Sequence, residues 1–365
     1  DNLLLMRDGQ LQEAEIRRVL ASARYPARNP DQNMADLAAQ LAACEKGAAE
    51  LQRLCAQYGL STVHLRMQQV LDNAEYTLRH ALKQLPSGQF SAHMDDGTQF
   101  QVRIDVDAER GSALVDFTGT HYRPDQPQHP GNFNAPSSVV MAAVLYSFRV
   151  LVARPMPLNA GFFRPLTVRI PPASVIAPQY PAAVVSGNVE TAQYLVDVLM
   201  GALGLMAGSQ GTNNNFTFGN ERYQYYETLC GGTGACAQAD GASALHSHMT
   251  NSRLTDPEIL EQRFPVVLEH FHIRRGSGGR GQFSGGHGVE RHIRFLQPMR
   301  ANIISGRRIV APHGLAGGHD GLPGVNFVLR HDGKLDVVGG CADVLMNEQD
   351  AFCIHTPGAG GFGAN

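Results

Sequence analysis

SGNVETAQYLVDVLMGALGLMAG, residues 186–208, divides this chain in two. It reads as a helix apolar on every side, and the Glu190 and Asp197 it carries fit a core helix better than a membrane span. Gly201, Gly204 and Gly208 lie along it. Each glycine costs a helix roughly 1 kcal/mol relative to Ala, so close packing against another backbone is expected there. Before this segment the chain is helical and then mixed. After residue 264 it turns to strands and Gly-rich loops.

Working back towards the N-terminus, residues 29–85 predict a helical hairpin. Asn29 and Pro30 give a cap and a first-turn proline. Met34, Leu37, Leu41, Cys44, Ala48, Leu51, Cys55 and Tyr58 recur at steps of three and four, a single apolar stripe. Gly59 ends this helix and Ser61 is placed to cap the next, whose stripe runs through Val63, Met67, Val70, Ala74, Leu78 and Ala81 until Pro86. The stripe is expected to pack on its own domain. In residues 87–118 the period becomes two: QFQVRIDV and ALVDFTG read as strands joined by AERGS. HPGNFNAPSSVVMAAVLYSFRVLV predicts a polar loop and a buried helix capped near Asn134 or Ser137, and PLTVRIPP predicts a strand. Towards the C-terminus, DPE at 256–258 caps a short helix, and VVLEHFHIR alternates well. The fold class expected is α+β: a helical hairpin over 1–86, a mixed strand and helix region over 87–186, and the polar-site helix with a β-rich, Gly-rich part over 187–365.

Composition narrows the function classes. With 43% hydrophobic and 17% charged residues the chain is globular rather than disordered, and a formal net charge of −3 argues against a nucleic-acid binder. The six cysteines form no CxxC pair and read as reduced thiols of a cytoplasmic protein. The opening DNLLLMRDGQ has no leader pattern and reads as a start in mid-protein.

Several motifs fail on context. GSGGRG, residues 276–281, matches GxGxxG, but a strand follows it rather than the helix that pyrophosphate binding needs. No GxxxxGK[ST] is present. AGSQG at 207–211 nearly matches a nucleophile elbow, yet the helix precedes the serine instead of following it. No HExxH occurs. What remains is a polar block: SGNVET, SQGTNNNFTFGN, YQYYETLCGG and HSHMTNSR. Amides, imidazoles and carboxylates between apolar segments suit a small polar substrate, which amides orient and a carboxylate or imidazole deprotonates. Glu190, Glu227, His246 and His248 are the candidate catalytic groups. Asn188, Asn213, Asn214, Asn251 and Arg253 are the candidate substrate contacts. If His246 and His248 lie on a strand, both face one side.

The chain as a whole resembles the hydantoinase B/5-oxoprolinase family. The resemblance rests on DFTGT, PGNFNAP, GNVETAQYLVDVLMGALGLMAGSQGTNNNFTFGN, YYET, HSHMTNSRLTDPEILEQRFPV, RRGSGGRGQFSGGHGV, GLAGG and HTPGAGGFG, in order. The block FTFGNERYQYYET is most similar to ATP-dependent 5-oxoprolinases. This resemblance implies a hydantoinase A-type partner, separate or fused, that binds ATP with Mg and phosphorylates the substrate's amide oxygen. The present region then completes the opening of a small cyclic amide, 5-oxoproline to glutamate. Hydantoin or N-methylhydantoin hydrolysis, acetone or acetophenone carboxylation and a non-catalytic assembly fragment are the alternatives. An oligomer is implied, as is a divalent metal held by a His- and Asp-bearing motif upstream of Asp1. Two departures stand out: GACAQ where many members have GAGP, and SGGHG where many have RGGDG, which puts His287 in place of an Asp.

Overall fold

The computed structural model describes residues 3–22, 26–27, 29–123, 132–152 and 154–364. The chain falls into two compact units, Asp1–Asp72 and Asn73–Asn365.

In the first unit a small hairpin joins β1 (Met6–Arg7) to β2 (Gln10–Leu11) through Asp8 and Gly9, both at positive φ, as a two-residue turn demands. Helix α1 (Glu13–Ser22) packs on α2 (Pro30–Tyr58), and Ile16 and Met34 are the buried apolar side chains of these two helices. Asn29 caps α2 by accepting the Gln32 N–H at 3.2 Å, with Pro30 in the first turn. Gly59, at φ 81°, breaks the helix, and α3 (Leu60–Leu82) starts directly after it. Ser61 therefore lies inside α3 rather than capping it. The expected apolar stripe is buried only towards its ends, at Met34 and at Ala74 and Leu78; Leu51, Tyr58, Met67 and Val70 are exposed.

In the second unit the period-two segments form a sheet of order β3 (Gly88–His93), β4 (Gln99–Asp107), β5 (Ser112–Asp116), β6 (Leu166–Arg169). The AERGS turn closes on Asp107, whose carboxylate accepts the Arg110 N–H at 2.9 Å. β5 and β6 run parallel, so the chain crosses over between them, and α4 (Ser137–Val150) lies in that crossover. Neither Asn134 nor Ser137 caps α4: its N-cap is Pro136, with no side-chain cap bond. Asn134 is buried instead, accepting the Tyr122 hydroxyl at 2.7 Å and donating to the Ala183 carbonyl. The front of the polar loop, through residue 131, lies outside the described residues.

The 186–208 segment departs from a simple helix. Residues Gly187–Thr191 form a π-helical turn, and α5 spans only Ala192–Ala202. Leu205 N–H bonds Met200 O and Gly204 N–H bonds Gly201 O, a Schellman ending with Gly204 at φ 67°. A Cβ on Gly201 would lie 2.8 Å from the Phe90 ring, and one on Gly208 would lie 2.8 Å from the His313 ring and 2.9 Å from its backbone nitrogen. Close approach is thus real at these two, while Gly204 serves its backbone angle. α5 is buried all round, against β3, β4 and α4.

The remainder is β-rich. One antiparallel sheet has the order β14 (Cys341–Met346), β11 (Met299–Ile304), β7 (Asn215–Gly219), β8 (Gln224–Thr228). The other has the order β13 (Leu335–Val338), β12 (Val325–Leu329), β15 (Ala351–His355), β10 (Val289–Phe295), β9 (Val266–Ile273). Phe216 and Phe218 of the first meet Phe352 and Phe295 of the second, with ring centroids 4.8 and 5.3 Å apart. The short helix α6 (Pro257–Arg263) begins on Asp256, which accepts the Glu258 N–H. After GSGGRG the next element is β10, so no helix N-terminus is offered to a phosphate. All six cysteines are free. Among the described residues no helix is long and apolar enough to cross a membrane. The fold mixes helices and sheets, as an α+β reading requires.

Candidate active site

Glu190, Gln193 and Asp197 are spaced three and four residues apart, so the π turn and α5 carry one polar stripe on an otherwise apolar helix. All three are fully buried. The loop from Ser209 to Asn214 crosses this stripe. Glu190 Oε1 accepts the Thr212 hydroxyl at 2.9 Å, the Asn215 Nδ2 at 3.1 Å and the Asn213 N–H at 3.2 Å, and Oε2 accepts the Gly306 N–H at 3.0 Å. Burial pushes the Glu190 carboxyl up to about 8, against the pull of these donors and of nearby Arg308.

From Glu190 the bonds continue round a ring. Asn213 Oδ1 accepts from Gln193 Nε2 at 2.7 Å and from the Thr250 hydroxyl at 2.8 Å, and Gln193 Nε2 also reaches Thr250 Oγ1 at 2.8 Å. Two residues before Thr250, His248 Nε2 lies 2.9 Å from Ser209 Oγ, which itself accepts the Gly234 N–H at 3.0 Å. The other ring nitrogen of His248, Nδ1, lies 3.4 Å from the Tyr146 hydroxyl. Asp197 Oδ1 accepts the Ser209 N–H and lies 3.7 Å from the same His248 Nε2. Asp197 Oδ2 takes Arg307 Nη2 at 2.8 Å, and the Arg307 guanidinium lies 4.2 Å above the Tyr194 ring. Gly306, the neighbour of Arg307, closes the ring on Glu190.

Three residues here, Asn214, His248 and Arg307, have positive φ without being glycine. Such conformations cost about 1–3 kcal/mol and persist where the surroundings enforce them. Burial lowers His248, which Asp197 opposes, so the imidazole is held neutral and can accept a proton. Gln193 Oε1, Tyr194 OH, Ser247 Oγ and Arg307 Nε are buried here without a hydrogen-bond partner among the described residues. Unmet polar capacity concentrated in one place makes this ring the candidate site for a polar ligand. The arrangement is not a Ser-His-Asp triad: Asp197 faces the imidazole nitrogen that the serine already uses, not the one behind it.

The structure brings Glu190, Asn213, Asn214 and His248 together. Asn214 donates to Gln210 and Leu229 O, and its Oδ1 accepts Arg308 Nη2 at 2.8 Å. His246 is half-buried with both ring nitrogens unpartnered among the described residues, and burial lowers its pKa. His246 and His248 sit in a loop rather than on a strand, so the shared-face argument does not apply. Asn188, Asn251 and Arg253 are exposed. Glu227 points away from the ring: on β8, Tyr226 bonds Asn215 Oδ1 at 2.8 Å while its neighbour Glu227 turns to the opposite face. There Arg291 grips both Glu227 oxygens at 2.8 and 2.9 Å, and the Tyr225 hydroxyl donates to one of them. Sequence reasoning did not name Gln193, Thr212, Thr250 or Arg307, took Asp197 only as a core-helix residue, and set the serine of AGSQG, Ser209, aside as a nucleophile. The helical spacing of Glu190, Gln193 and Asp197 was a usable signal for Gln193 and Asp197.

The profile of the family described as hydantoinase B/oxoprolinase matches residues 1–365. The chain belongs to this family. The 5-oxoprolinase of Dictyostelium discoideum is 41% identical over 371 residues, covering 99% of this chain and 29% of its own length. The 5-oxoprolinase 1 of Arabidopsis thaliana is 42% identical, covering 93% of this hydantoinase B-type chain and 28% of its own. The chain thus spans under a third of these curated relatives. Among solved structures, an ATP-dependent caprolactamase from Pseudomonas jessenii superposes with a TM-score of 0.82 at 23% identity, covering 99% of this chain and 65% of that one. A nucleotide-free acetone carboxylase gives 0.79 at 17% identity, covering 98% and 56%. These two likenesses are of fold. Within this fold His287, the residue that departs from the RGGDG pattern, accepts the Gly278 N–H on Nδ1 at 2.9 Å, a bond an Asp carboxylate could also accept.

Proposed function

We propose that this chain is the hydantoinase B-type portion of an ATP-dependent cyclic amide hydrolase that opens 5-oxoproline to glutamate. The observation that carries the reading is the identity of about 40% to proteins named 5-oxoprolinase, sustained along nearly the whole chain. The buried ring supplies suitable chemistry. A lactam carbonyl is a poor electrophile, and phosphorylation of its oxygen by ATP on a hydantoinase A-type partner with Mg activates the carbon. As water adds to that carbon its proton passes to the Ser209 hydroxyl while the serine's own proton passes to His248 Nε2, and Asp197 stabilises the resulting imidazolium. Collapse breaks the C–N bond, the nitrogen taking a proton, and leaves an acyl phosphate. A second water converts this to carboxylate and phosphate. Glu190 holds Thr212, Asn213, Asn215 and the Gly306 N–H in place around the substrate, and the ring reaches the surface at Tyr226 and Thr250. Asn213, Asn214, Asn251 and Arg253 are proposed substrate contacts, Asn188 and His246 further polar contacts. Glu227, with both oxygens on Arg291, is assigned to the framework. A cytoplasmic location fits the free cysteines, and an oligomer is proposed on the family resemblance alone.

The test is ATP-dependent glutamate release from 5-oxoproline by the complete protein with its ATP-binding partner. Hydantoin, and a ketone with bicarbonate, run alongside. Glutamate matched by ADP supports the reading. Turnover of hydantoin or ketone alone overturns the substrate, and no turnover by a folded complex overturns the activity.

A further inference from the structure

Away from this ring, four histidines and a glutamate gather on one face of the five-stranded sheet. Strand alternation puts Glu290 and His292 on the half-exposed face of β10, while Arg291 and Ile293 point into the core. The register sets Glu290 opposite both His272 on β9 and His355 on β15, and His292 opposite His270. The side chains converge. His292 Nε2 and His355 Nε2 lie 3.1 Å apart with their rings nearly parallel, and Glu290 Oε2 lies 3.6 Å from His355 Nε2 and 3.3 Å from His272 Nε2. Phe327 stands edge-on to both His292 and His355, and His270 edge-on to His292.

We propose that Glu290 Oε2, His292 Nε2 and His355 Nε2 form a binding site for a first-row divalent transition-metal ion, zinc by preference, with a fourth position open to water. Their donor atoms all lie within 4.8 Å of one another. Zinc bonds nitrogen and oxygen at about 2.0–2.2 Å, so donors around a tetrahedral ion sit about 3.3–3.6 Å apart. The gaps of 3.1 and 3.6 Å need only a small adjustment to meet that. Two imidazoles and a single carboxylate favour zinc and its neighbours over calcium or magnesium, which prefer all-oxygen shells. His272 is a positioning residue that holds the Glu290 oxygen. Arg274, just beyond β9, is occupied with the Pro323 and Thr356 carbonyls. A bound ion would clip β10 to β15 on the face opposite the Glu227–Arg291 pair.

The experiment strips the complete protein with a chelator, then titrates it with cobalt(II) and zinc. Wild type is compared with the double variant His292→Gln/His355→Gln and with Glu290→Gln. Expected are one more equivalent of metal in wild type than in the double variant, loss of one tetrahedral-intensity cobalt absorption, uptake at least tenfold weaker in Glu290→Gln, and a zinc-induced rise in Tm absent from the variants. Equal stoichiometry and equal Tm response in all three proteins overturn the proposal. A second measurement needs no variant: zinc should protect His292 and His355 from diethyl pyrocarbonate while exposed His64 still reacts. Modification of the pair at the same rate with and without zinc overturns it independently of any folding defect.

Discussion

Replacing Glu227 with Gln tests whether this carboxylate belongs to the framework or to the chemistry. Glu227 and Arg291 bury their side chains to 2% and 1% exposure and meet through two bonds of 2.8 and 2.9 Å. Removing one charge leaves the Arg291 guanidinium buried beside Phe271 without its counter-ion. Breaking such a pair costs about 3–5 kcal/mol, whereas exchanging both partners for neutral groups of similar volume is often close to neutral. Glu227→Gln and Arg291→Met should each therefore destabilise by about that amount, and the double variant by much less than their sum. The assay is urea unfolding followed by tyrosine near-ultraviolet circular dichroism, since the chain has no tryptophan. With a slope of about 2–3 kcal/mol per molar, each single change should lower the midpoint by more than about 1 M. Two results would refute the reasoning. One is a Glu227→Gln protein of unchanged midpoint that has lost turnover, which would make Glu227 a reacting group. The other is a double variant whose losses simply add, which would mean the two side chains act independently.

Other expectations follow from single contacts. His248→Ala should lower kcat for ATP-dependent glutamate release by about 10²- to 10⁴-fold, the usual worth of a general base; steady-state kinetics with intact thermal stability would check it. Glu190 is fully buried and raised from 4.5 to about 8, so the folded state binds its proton more tightly than the unfolded. Its contribution is complete below pH 4.5 and is lost as pH rises to 8, a span of roughly 5 kcal/mol at about 1.36 kcal/mol per unit. Stability curves of wild type and Glu190→Gln should accordingly diverge across that window, and parallel curves would contradict the burial argument. Gly201→Ala drives a methyl to within 2.8 Å of the Phe90 ring and should cost about 1–3 kcal/mol, with Phe90→Leu giving part of it back in a thermal melt. His287→Asp should keep the bond from Gly278 N–H, whereas His287→Leu leaves that N–H unsatisfied and should lose about 1–3 kcal/mol.

Local chemistry explains which features could be read from the letters. Asn29–Pro30, Gly59 and Asp256–Pro257 mark helix ends because capping bonds span only three or four residues. Strand alternation likewise survives in any window of six. The misses have longer range. No neighbour of Ser61 says that α3 has already begun at Leu60, and no local signal says that Asn134 is claimed by Tyr122 and Ala183. Glu227 was legible as a polar residue in a polar block, but its direction depends on the pairing of β7 with β8, which sets Tyr226 towards Asn215 and Glu227 towards Arg291, 64 residues away. Arg307 meets Asp197 across 110 residues and has no motif of its own.

The same distances explain why a polar cluster can survive in the interior. Asp197 alone on an apolar helix would be an uncompensated buried charge, and Arg307 alone would be another. Each charge is compensated only where the loop at 305–308 meets α5, so the two are buried as a pair. The positive φ of Asn214, His248 and Arg307 has the same cause, because each backbone is bent to bring a side chain to partners that tertiary structure supplies. Relieving any one of these residues by glycine should remove local strain, yet it would also delete a side chain that compensates another buried group. The strain and the polar ring are therefore one feature. Stabilising substitutions should be readily found in the exposed faces of α2 and α3 and hardly at all around Glu190 and Asp197.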